Sequence, residues 1–507
     1  MINILDESVV SRLLQETEGS ENRNRKIQAW SAYRISHGDI LPYVTDEVAK
    51  VLPKSWKQMR MSDISISEKV NKKLSNAYKE PPLRTIPDSE AETESLQNLY
   101  KDMRVDQKFS EFDFISNVNR YSLMWVNYRV GTGLQFVPLH PFEFDVVRDK
   151  KDGSLEAVIL SYPDATITQS TPYDELSSPD SVNQAIANHP ADTSSQKRRY
   201  AIWTKEHHVS VLASVKRLGN QVEVSLQFEE MANNPNNVNP LGMLPFVYYS
   251  KDDGGNPTDY PLTNPITRQA VFYNVLNSDL LSAASLQGYG IRTISATQEI
   301  LNSMQVLHEG LTTAVELPQN EDSTLPKTEL AFVNPSPDLA GQKDTYQSYL
   351  IQVLSQHGIN GGSVINGDTE GFSSGIDRAI ANADVQNIVK SNQVGYQDVE
   401  ICCFKIIKAW QDEVIGDIKF APDSDLSIIY PRPQILISDA ETLANIEKRL
   451  ALGLIKKSAA LMILNPNLSQ SEADKELEEI KGEKVANANS FFQTPEVIDG
   501  DKQDSTD

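Results

Sequence analysis

Gly358-Ile359-Asn360-Gly361-Gly362-Ser363-Val364-Ile365-Asn366-Gly367-Asp368-Thr369-Glu370-Gly371 is the stretch around which the rest of the chain is organised. Its glycines permit backbone conformations closed to other residues, so the segment reads as a mobile loop. It runs into Phe372, Ser373, Ser374 and Gly375, which place a hydroxyl to cap a helix, and then Ile376, Ile380, Ala383 and Ile388 recur at roughly helical spacing. The pattern predicts a loop on a long helix that reaches about Val414. Gly395 interrupts it, where a kink or break is expected, and Val399, Cys403, Ile406 and Trp410 then share one face.

Just upstream, two helices flank a small α/β section. The first follows Asn264-Pro265, a cap and a first-turn proline, and carries Ile266, Ala270, Tyr273, Leu276, Leu280 and Ala284 as far as Gly288. The second spans Lys343 to Gln356. Between them, Tyr289 to Pro337 predicts a helix at 297–308 and strands at 314–317 and 330–333.

Further toward the N-terminus the period is that of strands. Residues 121–130, 134–138, 144–147, 156–160, 200–204, 209–213, 222–228 and 245–249 are short β-rich runs, with Asp149 to Gly153 as a hairpin turn. Thr171 to Lys197 is rich in Ser, Pro, Asp and Asn and reads as an exposed insertion. The first 120 residues are helical: 23–36, 65–78 stopped by Pro81-Pro82, an acidic helical stretch at 90–108, and 112–119. Downstream of the long helix come a strand at 427–430 and helices at 440–452 and 458–464 separated by Gly453. From Glu472 to Asp507 there are eleven acidic residues against four lysines, and disorder is expected beyond about Ala486.

The composition bounds the function. At 507 residues, 39% hydrophobic and 23% charged, the chain is long enough for several domains and a sizeable core. No window approaches a membrane span, and Asp6 and Glu7 stand where a signal peptide would be basic, so a cytoplasmic, soluble chain is expected. The adjacent Cys402 and Cys403 suit a reducing compartment and core packing. A net charge of −23 excludes a protein that grips nucleic acid through its overall field.

Motifs for catalysis or metal binding do not survive inspection. Gly371-Phe372-Ser373-Ser374-Gly375 matches the Gly-x-Ser-x-Gly elbow of serine hydrolases, but there the catalytic histidine follows the serine. All seven histidines, His37, His140, His189, His207, His208, His308 and His357, precede Ser373, and helix capping is the better account. No phosphate-binding Gly-x-x-x-x-Gly-Lys-[Ser/Thr] occurs. His207-His208 and His308-Glu309 lack a further ligand one helical turn away, and Asp252-Asp253-Gly254-Gly255-Asn256 lacks the closing glutamate of a calcium loop. No cofactor or metal is expected.

Several stretches acquire meaning from their order. Trp30-x-x-Tyr33 precedes a Gly38 turn and Tyr78-Lys79-Glu80-Pro81-Pro82, and His140-Pro141-Phe142-Glu143-Phe144-Asp145 is followed by Glu156-Ala157-Val158. Ser373-Ser374-Gly375-Ile376-Asp377-Arg378-Ala379 opens the long helix, and Gly453-Leu454-Ile455-Lys456-Lys457-Ser458 leads to Asn465-Pro466 and an acidic helix. In this order, over most of the chain, they resemble the portal proteins of tailed bacteriophages.

The resemblance implies an α+β portal fold with wing, two-helix stem, α/β clip, long kinked wing helix and helical crown. Residues 1–263 would be wing, with the insertion 171–197, whose role the family does not supply; 264–287 and 343–357 would be the stem helices and 288–342 the clip. Residues 358–373 would form a tunnel loop, 374–437 would return through the wing, 438–485 would form the crown, and 486–507 an acidic disordered tail. Portals are non-enzymatic rings of twelve identical subunits at one capsid vertex of the virion, assembled in the host cytoplasm. The implied partners are further copies of the chain, double-stranded DNA in the channel, an ATP-driven terminase, major capsid protein and scaffold, and head-tail adaptors, with no membrane.

The resemblance places Asn360, Gly361, Gly362, Ser363, Asn366, Asp368 and Glu370 at the DNA channel, with Ser373, Ser374 and Gly375 as the helix cap. The residues themselves suit that role. The loop has no basic side chain, so passing phosphates would meet neutral or acidic groups and slide. An ordinary solvent loop is the other reading, in which Tyr273, Tyr346 and Tyr349 are intrachain core; in a ring they lie partly at subunit contacts. A different neck or tail adaptor would lack the stem, clip, stem order.

Overall fold

Asp6 opens the first helix, its carboxylate accepting the Ser8 amide at 2.9 Å. Four helices follow in quick succession: α1 Glu7–Thr17, α2 Ser20–Ser36, α3 Leu41–Val51 and α4 Ile66–Leu74. The computed structural model describes residues 2–53, 56–87, 89–149, 153–163, 197–218, 221–231, 234–251, 264–289, 291–295, 329–333, 338–359, 375–431, 439–464 and 475–477. It is mixed α+β and divides into two compact units, Met1–Gly371 with Ala381–Pro433, and Phe372–Ile380 with Gln434–Asp507.

Two helical expectations in this region need correction. The helix expected to reach Tyr78 ends at Leu74, because the Ala77 amide donates to the Asp113 carboxylate at 2.9 Å and the chain turns toward it. After β1, Leu83–Thr85, the acidic stretch is two helices, α5 Glu90–Asp102 and α6 Val105–Asn119. Arg104 separates them in the left-handed region at φ 52°, which no α-helix can continue.

The strands form two larger sheets. β2 Tyr121–Arg129 lies between β3 Gly133–Leu139 and β9 Phe246–Ser250, all antiparallel. β4 Phe144–Arg148, β5 Leu155–Pro163, β6 Lys197–Thr204, β7 His208–Leu218 and β8 Gln221–Glu229 make a sequential antiparallel meander. Where the Asp149–Gly153 turn is expected, the Asp149 amide donates to Ser154 O and the Gly153 amide to Asp149 O, both at 2.9 Å, and residues 150–152 lie outside the described residues. Alternation along the meander serves two cores. Ile159, Tyr200 and Ile202 meet Val10, Leu13 and Leu14 of α1, while Val158, Leu160 and Trp203 meet Tyr121, Leu123 and Phe246 of the smaller sheet. The expected insertion joins β5 to β6 and, apart from Lys197, lies outside the described residues.

α7 Ile266–Tyr289 leads to β10 Ile291–Ser295, which pairs antiparallel with β11 Glu329–Val333, and α8 Leu339–Gln356 returns along α7. The expected elements at 297–308 and 314–317 lie outside the described residues. α8 starts four residues before the expected Lys343, because the Asp338 carboxylate accepts the Gly341 amide at 2.9 Å.

The long helix α9 runs Gly375–Trp410, and the break expected at Gly395 is absent. Gly395 serves close packing instead: a methyl group there would lie 2.6 Å from Tyr249 Cε2. The irregularity comes later, in a π-turn at Gln411–Ile415 ended by Gly416 at φ 75°. β12 Ser427–Ile429 then pairs with β1, joining chain segments more than three hundred residues apart. In the second unit, α10 Asp439–Ala451 and α11 Lys457–Leu464 pack together around Gly453, which takes φ 68°.

Candidate functional site

Gly358 and Ile359 fix where the glycine-rich stretch leaves α8. Their amides donate to Ser355 O at 3.0 Å and Leu354 O at 2.9 Å, and Gly358 takes φ 68°, the left-handed closure that ends a helix. Ile359 is fully buried, so the chain is anchored in the core one residue before the stretch. Asn360, Gly361, Gly362, Ser363, Asn366, Asp368, Glu370, Ser373 and Ser374 lie outside the described residues, and Gly375 is the first residue of α9.

The α7 and α8 pair carries the stretch. Gln269 Nε2 donates to Gln356 Oε1 at 2.9 Å, and Gln269 Oε1 faces His357 Nε2 at 3.0 Å. Burial lowers the His357 pKa, since taking the ring out of water disfavours its charged form. Phe272 meets Tyr349 edge-on, with 5.5 Å between ring centroids. Tyr273, Tyr346 and Tyr349 are all half-buried.

A polar ladder binds a second segment to α7. Asn274 Oδ1 accepts from Ser62 Oγ at 2.7 Å and the Ile64 amide at 2.8 Å, and its Nδ2 donates to Ile64 O. One turn on, Ser278 Oγ accepts the Ser62 amide at 2.9 Å; another turn on, Ser282 Oγ accepts the Arg60 amide at 3.0 Å. Spacing of four residues puts these three side chains on one face of α7, where they satisfy the amides of Arg60, Ser62 and Ile64 in a segment that belongs to no helix or strand. This is a helix face built to hold backbone.

Beneath α9 lies a buried ionic node that the sequence reading missed. Glu400 is inaccessible to solvent and accepts from Arg84 Nε at 2.5 Å and Tyr78 Oη at 2.8 Å, while Arg84 Nη1 donates to Asp106 at 2.6 Å. One turn earlier, Tyr396 Oη donates to Asp113 at 2.7 Å, and Asp113 also accepts from Asn117 and Ala77. The Glu400 and Asp113 oxygens are all occupied by protein donors, so this part of the node holds elements together, while Arg84 and the half-exposed Asp106 line a cavity of about 370 Å³ with Tyr100 and Arg104. The signal for Glu400 was legible: it stands on the apolar stripe of Tyr396, Cys403 and Ile407.

Two of the described histidines, His140 and His208, are packing groups. His140 lies between Tyr33 and Phe142, and burial, with His37 adding to it, lowers its pKa to about 3; His208 stacks on Trp203 at 3.6 Å and burial takes it to about 4. Among the described residues no group of three His, Cys, Asp or Glu could hold a metal ion, and no helix is long and apolar enough to cross a membrane. Cys403 is buried as expected, whereas Cys402 is exposed, so core packing accounts for only one of the pair. No protein-family model matches the chain, and no curated protein matches it.

Proposed function

We propose that this chain is the portal subunit of a tailed bacteriophage, a non-enzymatic protein that forms a ring at one capsid vertex. Genomic DNA passes through the ring during packaging and ejection, and terminase and neck proteins dock on it. The observation that carries the reading is the character of α7. Its 24 residues carry only two charges, Arg268 and Asp279. Phe272 and Leu281, half a turn out of phase, are both exposed large apolar side chains. Apart from the Asn274, Ser278 and Ser282 face that holds residues 60–64, this nearly uncharged helix leaves large apolar side chains in solvent, which marks a surface that a partner covers. In a ring, neighbouring copies supply that cover.

The chain order supports the same reading. A helix leaves the main body, a β pair follows, and a second helix returns along the first, which is the stem, clip, stem sequence. Residues 264–287 and 343–357 are then the stem, 288–342 the clip, 438–485 the crown, and 1–263 with 374–437 the wing. The returning helix delivers the chain directly into the stretch 358–373, proposed as the loop that faces DNA. Its lack of any basic residue suits a channel through which the duplex must slide. Negative-stain images of the purified protein test the proposal. Rings with a central hole are expected, and a uniform population of single chains would overturn it.

A further inference from the structure

A cyclic ring joins each copy to the next head-to-tail, so the contact needs two different, mutually complementary faces on one chain. Two described surfaces meet that requirement in charge. The first is basic on a strongly acidic protein. Between Glu47 and Asp63 the sequence has no acidic residue and carries Lys50, Lys54, Lys57 and Arg60. Lys57 and Arg60 are exposed, with Lys57 over the Trp56 ring at 5.6 Å. Apolar side chains lie among them. Val51 at the end of α3 is 75% exposed, and Leu52, Ile64 and Leu281 are also open to solvent. The ladder described above fixes this surface, since the Arg60 amide is tied to Ser282 of α7.

The second surface is acidic. After α9, exposed Asp412, Glu413 and Asp417 surround exposed Val414, and Lys419 is the only basic residue between 411 and 430. Glu92 of α5 accepts the Ala421 amide at 3.3 Å and the Ser424 hydroxyl, which joins this segment to exposed Glu90 and Glu94. Each face thus has exposed apolar side chains and a preponderance of one sign of charge, carried by Lys57 and Arg60 on the first, where Lys50 is paired with Asp46 and Glu47 and Asp63 is exposed, and by Asp412, Glu413 and Asp417 on the second, beside exposed Lys419.

We infer that the basic face around Lys57 and Arg60 docks on the acidic face around Glu413 and Asp417 of the neighbouring copy. The inference rests on the ring reading and names the contact that closes the ring. Opposite charge steers the encounter and rejects the like-with-like arrangement, so only head-to-tail growth proceeds.

Charge reversal tests it in the full-length chain. One variant carries Lys57→Glu and Arg60→Glu, and a second carries Glu413→Lys and Asp417→Lys. Sedimentation at low and physiological salt should find each variant alone at least tenfold weaker in assembly than wild type. Mixed in equal amounts they should form rings in which the two variants alternate, because each altered face then meets its altered partner. A chain with all four substitutions should assemble by itself, and circular dichroism of that chain controls for folding. Single variants that assemble like wild type would overturn the inference, as would a folded four-substitution chain that stays dissociated. Normal assembly with lost binding to duplex DNA would assign the basic face to nucleic acid and equally overturn it. A wild-type chain that never assembles would remove the ring reading itself, an outcome distinct from all of these.

Discussion

Gly395 passes so close to Tyr249 that a methyl group at Gly395 would lie 2.6 Å from the Tyr249 ring carbon Cε2. Helix propensity alone favours alanine over glycine there by about 1 kcal/mol. The contact reverses the sign, since Tyr249 is wedged against Phe112 and Tyr396 and has little room to retreat. Gly395→Ala should therefore destabilise the protein by about 1–3 kcal/mol, the usual cost of overpacking a filled core. Urea unfolding measures this, and Tyr249→Leu in the same chain should recover most of the loss.

The Arg84 and Glu400 pair makes a second prediction. Arg84 is 7% exposed and Glu400 wholly buried, so neutralising the carboxylate leaves a buried guanidinium with only Asp106, itself 45% exposed, for compensation. Glu400→Gln should cost about 3–5 kcal/mol. Replacing both residues, as Arg84→Met with Glu400→Leu, should cost less than that single change. A double-mutant cycle in urea gives both values.

Acid should weaken the fold through its buried histidines. His140 and His208 titrate at about 3 and about 4 in the folded protein, against 6.5 for the free side chain, because burial disfavours the charged ring. Below pH 6.5 the unfolded chain takes up protons that the folded chain refuses, so stability falls from there toward pH 4. The limiting slope is about 1.4 kcal/mol per pH unit for each histidine. Burial raises Glu143 and Asp145, and these carboxyls work in the opposite direction. Comparing His140→Gln with wild type isolates the histidine: the difference between their unfolding curves should shift in favour of the variant as pH falls from 6.5 to 4.

How far the sequence could be read follows from which forces are local. The β7 and β8 strands were legible because one face alone serves a core, so Val209, Val211 and Ala213 and Val224, Leu226 and Phe228 keep a period of two, whereas β5, buried on both faces, reads as the continuous apolar run Ala157 to Leu160. α1 carries its own signal in Val10, Leu13, Leu14 and Thr17 at helical spacing, and the structure adds that helix to those expected. Gly395 misled because a lone glycine looks the same whether it relaxes a helix or admits a neighbouring ring. The β1 and β12 pairing, and the choice of Arg84 as the partner of Glu400, depend on contacts across some three hundred residues, and no local pattern carries them. For the glycine-rich stretch, the conformational freedom of its residues was legible, but not what faces it.

The stretch itself is open to a direct experiment. Ile359 is buried and closes α8 without help from the residues that follow. Removing Asn360 to Asp368 should therefore leave assembly unchanged and impair DNA packaging or retention, scored by packaged genome per particle. Loss of assembly would show that the stretch holds subunits together rather than facing DNA. Ser373→Ala should cost about 1 kcal/mol at most, as a lost helix cap, and remove no activity.

The central claim is that the chain works only as a closed ring, and the mass of the purified assembly tests it most directly. Native mass spectrometry should give one dominant species with the mass of about twelve chains, the family's ring size, stable across a tenfold dilution. A single-chain mass at micromolar concentration, with the far-ultraviolet spectrum of a folded α+β protein, would contradict the account.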